Sequence, residues 1–530
     1  MEIERIQESV HLGALGSWLG IQTEAGINAL KEKTGIWTSD IKKLRQKSSE
    51  FAILQEALKK NPELDSTLKE HFTQLKVLEP ELAALVSSAS ELEKEAFNEL
   101  LFLKNWSTPF NFIPFLLVIW SALRVFVLPG MALLMPVAML ILPFILIRFM
   151  FNIPITAGRY TALLGAIFSG QVGNLFNPSA IGSEEEAPAV KAPGGVDLFK
   201  MIKNSLLLVT VGQSFIQPYW TFKHLYSIDT IVVDKAASLH KFKDIYNSIR
   251  SVLKVHGFKM APNPFAPHIT DGRQLVAMAH LHPIYLKYAH KRLGAFEVLY
   301  SLARHRSMVP VIWADSLQND KPVFHLHNTF DYHVDEKHRI PFSIHLENKP
   351  HALLTGPNRG GKSTTLRAIT TATLLAHTYG CAQGQEVRMS PFQTLYVCLT
   401  PEDLPGKKSR FEREIEFTAA TLEHHSSKGA SLVLLDELYH STNPPDAEKA
   451  CRLYTERLWT KPQTLSIIST HLFQFVEQAD PSVQRLCCPA SVKPDGSVAY
   501  TYRLASGICT VSSVGELLEE NGLVRAGRPL

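Results

Sequence analysis

Residues 353–364 read Leu-Leu-Thr-Gly-Pro-Asn-Arg-Gly-Gly-Lys-Ser-Thr and constrain the fold more than any other part of the chain. Within them, 356–363 fits G-x-x-x-x-G-K-[ST]. An apolar run, 352–355, leads in, and Leu366, Ile369 and Thr373 follow at helical spacing. Strand, glycine loop and helix in that order turn backbone N–H groups inward around phosphate oxygens. The helix N-terminus adds the positive end of its dipole. In this reading Gly356, Pro357, Asn358, Arg359, Gly360 and Gly361 form the cradle. Lys362 reaches the outer phosphates, and the Ser363 hydroxyl ligates Mg²⁺.

A chain of 530 residues is too long for one core, so about three domains are expected. The six cysteines contain no C-x-x-C pair and no metal-ligand spacing, which suits reduced, buried thiols. Glu2 and Glu4 stand where a secretory leader needs positive charge, so no leader is expected. A net charge of +4 is small for this length and gives nucleic-acid binding no support by itself.

Residues 1–104 carry helical stripes. Ser39-Asp40 can cap a helix bearing Ile41, Leu44, Phe51, Leu54 and Leu58 and ending at Asn61-Pro62. A second helix is expected from near Pro80, with Leu82, Leu85, Leu92 and Leu100 on one face. Between Lys104 and Arg148 the one charge is Arg124, which leaves 19 uncharged residues at 105–123 and 23 at 125–147. Leu128-Pro129-Gly130 lies between them as a natural turn. Two apolar segments around a turn predict a membrane hairpin over 105–147, since a span needs about 20 apolar residues. Lys104, Arg148 and Arg159 would then flank it on one, cytosolic, side, with Arg124 snorkelling at the far end.

Residues 181–195 have linker composition. Helical patterns resume over 197–306, most clearly at 235–256. The histidines there, His256, His268, His280, His282, His290 and His305, share no metal-ligand spacing and read as ordinary surface or core residues. From about 309 short strands alternate with helices, at 323–327, 340–346, 352–355, 394–399, 432–435, 465–469 and 500–504. That alternation implies an α/β domain with a largely parallel sheet.

Two of these strands end in chemistry. Leu432-Val433-Leu434-Leu435 runs into Asp436-Glu437. Asp436 can hold Mg²⁺ through water, and Glu437 can accept the proton of an attacking water. Ile467-Ile468-Ser469-Thr470 runs into His471, which can touch the γ-phosphate or that water.

Thr-Gly-Pro-Asn-Arg-Gly-Gly-Lys-Ser-Thr at 355–364, Leu-Leu-Asp-Glu-Leu-Tyr-His-Ser-Thr at 434–442 and Ser469-Thr470-His471 resemble, in order and spacing, the MutS family of DNA mismatch-repair ATPases. Residues 401–414, with Ser409, Phe411 and Glu414, are similar to the family's signature loop. Residues 502–515 resemble its closing strand and helix. The resemblance covers about 320–525 strongly, and 10–100 and 200–306 more weakly.

It implies an α/β P-loop ABC-type ATPase domain with a mostly parallel sheet, plus an all-α helical core, which the apolar transmembrane hairpin read above interrupts as a departure from the family. The implied divisions are 1–104 and 197–308 for the core, 105–155 for the hairpin, 156–196 for a connector and linker, and 309–530 for the ATPase domain. ATP and Mg²⁺ would be the cofactors, bound between two ATPase domains of a homodimer. Lys362, Ser363 and Thr364 would bind phosphate and Mg²⁺, with Asp436 as the second metal ligand. Asn358 would place the attacking water, Glu437 would be its base, and His471 would sense the γ-phosphate. Ser409 would reach the partner's nucleotide, and Phe342 falls at the adenine-contacting loop. The resemblance finds no mismatch-reading domain. Phe97-Asn98-Glu99 has Phe-x-Glu letters but sits on a helix pattern that explains it without DNA. DNA is a possible partner, and a membrane-attached ATPase that remodels a protein or lipid is the other reading.

Overall fold

The computed structural model describes residues 3–86, 96–169, 198–314, 321–399, 409–423, 429–493 and 497–523. The chain divides into two compact units. The first comprises Met1–Glu79, Ser248–Ala261 and Tyr288–Leu530, the second Pro80–Asn247 and Pro262–Lys287. The 181–195 linker lies outside the described residues.

The first unit is built on an open sheet of six strands. They are β1 His351–Thr355, β2 Phe392–Cys398, β3 Ala430–Leu435, β4 Thr464–Ser469, β5 Gln484–Cys487 and β6 Ala505–Ser506, in spatial order β6-β5-β1-β4-β3-β2. All neighbours are parallel except β5 and β6. Side chains alternate between the faces of a strand. Ala352, Leu354, Leu432, Leu434, Leu465 and Ile467 enter one apolar cluster, and Leu353, Val433, Leu435 and Ile468 enter another. Burial on both faces explains why these strands read as unbroken apolar runs. A four-stranded sheet containing Phe324–Thr329 and Phe342–His345 adjoins the first cluster. The strand expected at 500–504 instead forms Val498–Tyr500 and β6, with Tyr502 at φ 54° interrupting them.

Helices complete this unit. Asp40 caps Ile41–Lys60 by accepting from the amides of Lys42 and Lys43. Pro80, expected near a helix start, lies inside Pro62–Val86. The buried stripe Leu75, Leu78, Leu82 and Leu85 continues through it and holds the helix together. Two buried carboxylates serve the first turn of Glu24–Thr34. Glu297 accepts from the Gln22 amide at 2.7 Å, and Glu79 from those of Glu24 and Ala25 at 2.6 and 2.8 Å. Amide donors near a helix N-terminus are thereby satisfied by negative charge. A Cβ on Gly294 would stand 2.4 Å from the Ala25 backbone. Gly294→Val should therefore cost about 1–3 kcal/mol through overpacking, read as a lower urea midpoint.

The second unit corrects the expected hairpin. Residues Pro114–Met150 form one continuous helix of 37 residues, uninterrupted at Leu128-Pro129-Gly130. A π turn at Leu123–Val127 precedes Pro129, and its wider hydrogen bonds, with the Leu128 amide reaching Leu123, absorb the missing proline N–H. Residues Asn105–Phe112 form a 3₁₀ segment rather than part of a span. Arg124 does not snorkel at a far end. It pairs with Glu99 at 3.4 Å and lies over the Trp120 ring. The Phe97-Asn98-Glu99 triplet is used structurally: Phe97 is buried beneath Lys235, and Glu99 holds Arg124.

Candidate active site

The glycine loop leaves β1 and enters the helix Lys362–Tyr379. Gly356 and Gly361 have φ of 148° and 103°, a region that favours glycine. A Cβ on Gly360 would lie 2.9 Å from the Pro357 carbonyl. The Thr365 amide closes the first helical turn on the Gly361 carbonyl at 2.9 Å. Lys362 is 4% exposed. Its Nζ donates to the carbonyls of Gly356 at 3.0 Å and Pro357 at 3.2 Å, and lies 3.2 Å from His471 Nε2. Burial lowers the Lys362 pKa, and the Glu437 and Asp436 carboxylates oppose that shift.

Strand order explains why distant residues meet. β4 lies between β1 and β3, so the residues after all three share one edge, the carboxyl end where α/β sheets present their ligands. The Thr470 amide donates to the Leu354 carbonyl at 3.0 Å, which locks that edge. Ser469 joins the two acids: its hydroxyl donates to Asp436, and its oxygen accepts from the Glu437 amide at 2.8 Å. Asp436 is 8% exposed.

Glu437 and Tyr439 have φ of 51° and 59°. Non-glycine residues in this region cost about 1–3 kcal/mol each and persist where surroundings over-determine them. Glu437 Oε1 lies 3.2 Å from His471 Nε2. The hydrogen bond from His471 holds the Glu437 carboxyl down at about 2. Burial opposes it, and the charges of His471, Lys362 and His440 assist it. With the folded value below the ordinary 4.5, this contribution to stability is present above pH 4.5 and lost as pH falls toward 2. Glu437 is thus an ionised acceptor at any working pH. An acid limb in a turnover–pH profile above pH 4 would belong to another group.

One nitrogen serves two neighbours here. His471 Nε2 either donates to Glu437 or accepts from Lys362, because it holds at most one proton. The histidine therefore reports which of the two it is bonded to.

The remaining sequence candidates are placed as follows. Ser363 and Thr364 stand in the first turn of Lys362–Tyr379. Asn358 is on the exposed side of the loop, and Arg359 pairs with Glu520 at 2.7 Å. Ser409 is exposed and caps Arg410–Glu423, accepting from the Glu412 amide at 3.2 Å while Glu412 takes its own amide at 2.8 Å. Residues 401–408 of the expected signature loop lie outside the described residues. Phe342 is 8% exposed and lies within the apolar core with Ile344.

Sequence reasoning missed the bridging role of Ser469, whose letters resemble any strand end. It also missed Tyr502, whose ring lies against Gly361, and the link from Glu437 through Tyr439. That tyrosine's hydroxyl meets Thr418 at 2.6 Å, and its ring meets Phe411, both on Arg410–Glu423.

A cleft of about 770 Å³ in the same unit, lined by Arg5, Lys31, Arg413 and Glu414 among others, contains none of the loop residues. The site lies at the carboxyl edge of the sheet, and its glycine loop, buried lysine and strand-end acids suit an anionic ligand with a divalent ion.

The fold and site together define a mixed α/β domain with a mostly parallel sheet and a loop-to-helix anion cradle. Residues 352–519 match the family model of MutS domain V. That domain is the ATPase-type domain of MutS-family proteins, so the match supports membership of the MutS family and is consistent with ATP binding and mismatch repair.

Proposed function

We propose that this protein hydrolyses ATP as a membrane-anchored, MutS-type motor whose cycle is linked to DNA binding in mismatch repair or recombination. One observation carries the reading: buried Lys362, His471 and ionised Glu437 meet through 3.2 Å contacts at the ends of neighbouring parallel strands. The glycine loop and Lys362 hold the phosphates. Ser363, with Thr364 beside it, and Asp436 would hold Mg²⁺, which supplies neutralisation of charge on the phosphate oxygens. Among the described residues no group of three or more His, Cys, Asp or Glu could hold a metal alone. A hydroxyl and a carboxylate suit a hard ion that takes its other ligands from phosphate and water.

Asn358 orients the attacking water, and Glu437 accepts its proton. His471 moves its bond between Glu437 and Lys362 as the outer phosphate arrives. Ser409 reaches the nucleotide of a second copy, which makes the working form a homodimer. The ATPase half faces the cytosol.

A second reading, favoured by the exposed apolar helix Pro114–Met150, is a membrane-bound ATPase that remodels a protein or lipid partner without DNA. Steady-state ATPase in detergent, with and without homoduplex, mismatched or branched DNA, separates the two. A DNA response that disappears in Lys362→Ala supports the DNA-linked motor. Hydrolysis indifferent to every DNA, but altered by lipid, moves the assignment to the second reading. No hydrolysis at all defeats both.

A further inference from the structure

The sequence places one apolar element at 105–147, yet the structure exposes a second. The long helix Leu198–Val255 is uncharged from 204 to 222. On it Leu206, Val209, Ile216, Tyr219 and Trp220 are each more than half exposed. Where this helix meets the apolar helix, the two run in opposite directions. Ser121 meets Asp229 at 2.7 Å, and Phe126 meets Phe222 and Tyr226 at 6.0 and 6.4 Å, so rising numbers on one helix face falling numbers on the other.

We propose that the second unit crosses a lipid bilayer twice, through residues 126–148 and residues 204–222. The helix Ala157–Ser169 packs against the first crossing toward its far end, where Tyr160 meets Phe144 at 5.2 Å. This inference rests on the membrane-anchored reading above and replaces its single hairpin.

Four observations carry it. The first is length. Arg124 and Arg148 stand 24 residues apart and Lys203 and Lys223 stand 20 apart. At 1.5 Å per residue these are about 36 and 30 Å, which matches a hydrocarbon core of about 30 Å. The second is the shape of the apolar surface. Met139, Leu140, Ile141 and Leu142 are consecutive and are 70%, 41%, 50% and 55% exposed. A full helical turn exposed on all faces but the one Tyr160 touches suits lipid. A protein partner would need one stripe.

The third is the near boundary. Below the Phe126 level the helices are tied into protein by buried Leu117 and Val125 and by Asp229, which Arg273 holds at 2.8 Å. At that level Lys223 lies 5.2 Å from the Trp220 ring, the aromatic–cation pairing of a headgroup zone. The fourth is satisfaction of a polar group. Tyr160 donates its hydroxyl to the Leu140 carbonyl at 2.6 Å. Inside hydrocarbon a hydroxyl needs such an internal partner.

Two crossings return the chain to its starting side. Residues up to 104 and from 223 onward therefore share a compartment. Arg148 and Arg159 stand on the opposite side, in contrast to the single-sided arrangement of Lys104, Arg148 and Arg159 expected from sequence.

The native cysteines all fall in the first unit, so labels in the second can be read against the parent chain. Single substitutions Met131→Cys, Leu134→Cys, Met139→Cys, Val209→Cys and Ile216→Cys would be spin-labelled in the full chain. The protein would be reconstituted in phosphatidylcholine–phosphatidylglycerol vesicles, with Phe151→Cys and Val255→Cys as aqueous references. The expected result is high oxygen collision and lost nickel-chelate collision at all five sites, with chelate access retained at both references. Chelate access at 209 and 216 alone would overturn the second crossing, and access at all five would overturn both. Dipolar broadening with immobilised labels would assign the surface to a second copy instead. Labels in Lys362→Ala should give the same pattern, so a failure of the ATPase reading and a failure of this one remain distinguishable.

Discussion

Glu437→Gln is expected to lower ATP turnover by about 10²–10⁴-fold, the range for removing a positioned general base, while nucleotide still binds. The substitution keeps the shape of the side chain and the φ of 51° that aims it. It keeps the Ser469 bond to the backbone amide. It removes the ionised oxygen that faces His471. Lys362→Ala should act differently, because it takes a buried cation out of the cradle and weakens binding itself. Single-turnover hydrolysis alongside equilibrium binding of a fluorescent ATP analogue distinguishes the two. Unchanged turnover in Glu437→Gln would show that the proton goes elsewhere.

Two buried histidines in the first unit should contribute to the acid sensitivity of the fold. Burial lowers the His351 pKa to about 4 and the His377 pKa to about 3, against an ordinary 6.5. His377 is a neutral ring with both nitrogens used. Nδ1 donates to the Thr373 carbonyl at 3.0 Å, and Nε2 accepts the Phe392 amide at 2.9 Å. The ring is stacked on Trp37, whose indole N–H donates to the Phe392 carbonyl. A second proton would break the Phe392 bond.

The fold therefore favours the neutral form. The unfolded chain binds protons below pH 6.5 and the folded chain does not. The contribution of these residues is complete above pH 6.5 and falls as pH drops toward 4, by about 1.4 kcal/mol per pH unit for each histidine. Between pH 6.5 and 4.5 the two together should cost about 5 kcal/mol, a large part of ordinary domain stability. Urea unfolding at pH 7.5, 6 and 5 measures this. His351→Gln should flatten the slope by about half, and an unchanged slope would assign the effect to other groups.

The candidate site was legible because its chemistry sits at strand ends. Leu432-Val433-Leu434-Leu435 has to be buried on both faces, so Asp436 and Glu437 can emerge only at the edge. Gly356 and Gly361 mark the loop by conformations that other residues resist. The apolar helix was misread because proline and glycine are strong punctuators in isolation, while a π turn absorbs Pro129 over five residues and leaves no local letter pattern. The apolar stretch of the long helix went unnoticed because Gln213, Ser214 and Gln217 dilute its hydropathy, and only exposure on the folded helix singles it out.

The threonine–tyrosine pairs beside the site have a mechanical consequence. Thr418 and Thr421 of Arg410–Glu423 hold the hydroxyls of Tyr439 and Tyr454 at 2.6 and 2.9 Å, and Tyr439 is two residues from Glu437. The backbone between them is already in a strained conformation with little slack. A tilt of the helix that Ser409 caps would therefore be passed through Tyr439 to the backbone that aims the Glu437 carboxylate, as a crank pulls on a short rod. In the proposed homodimer, a partner pressing on that helix would be felt at Glu437.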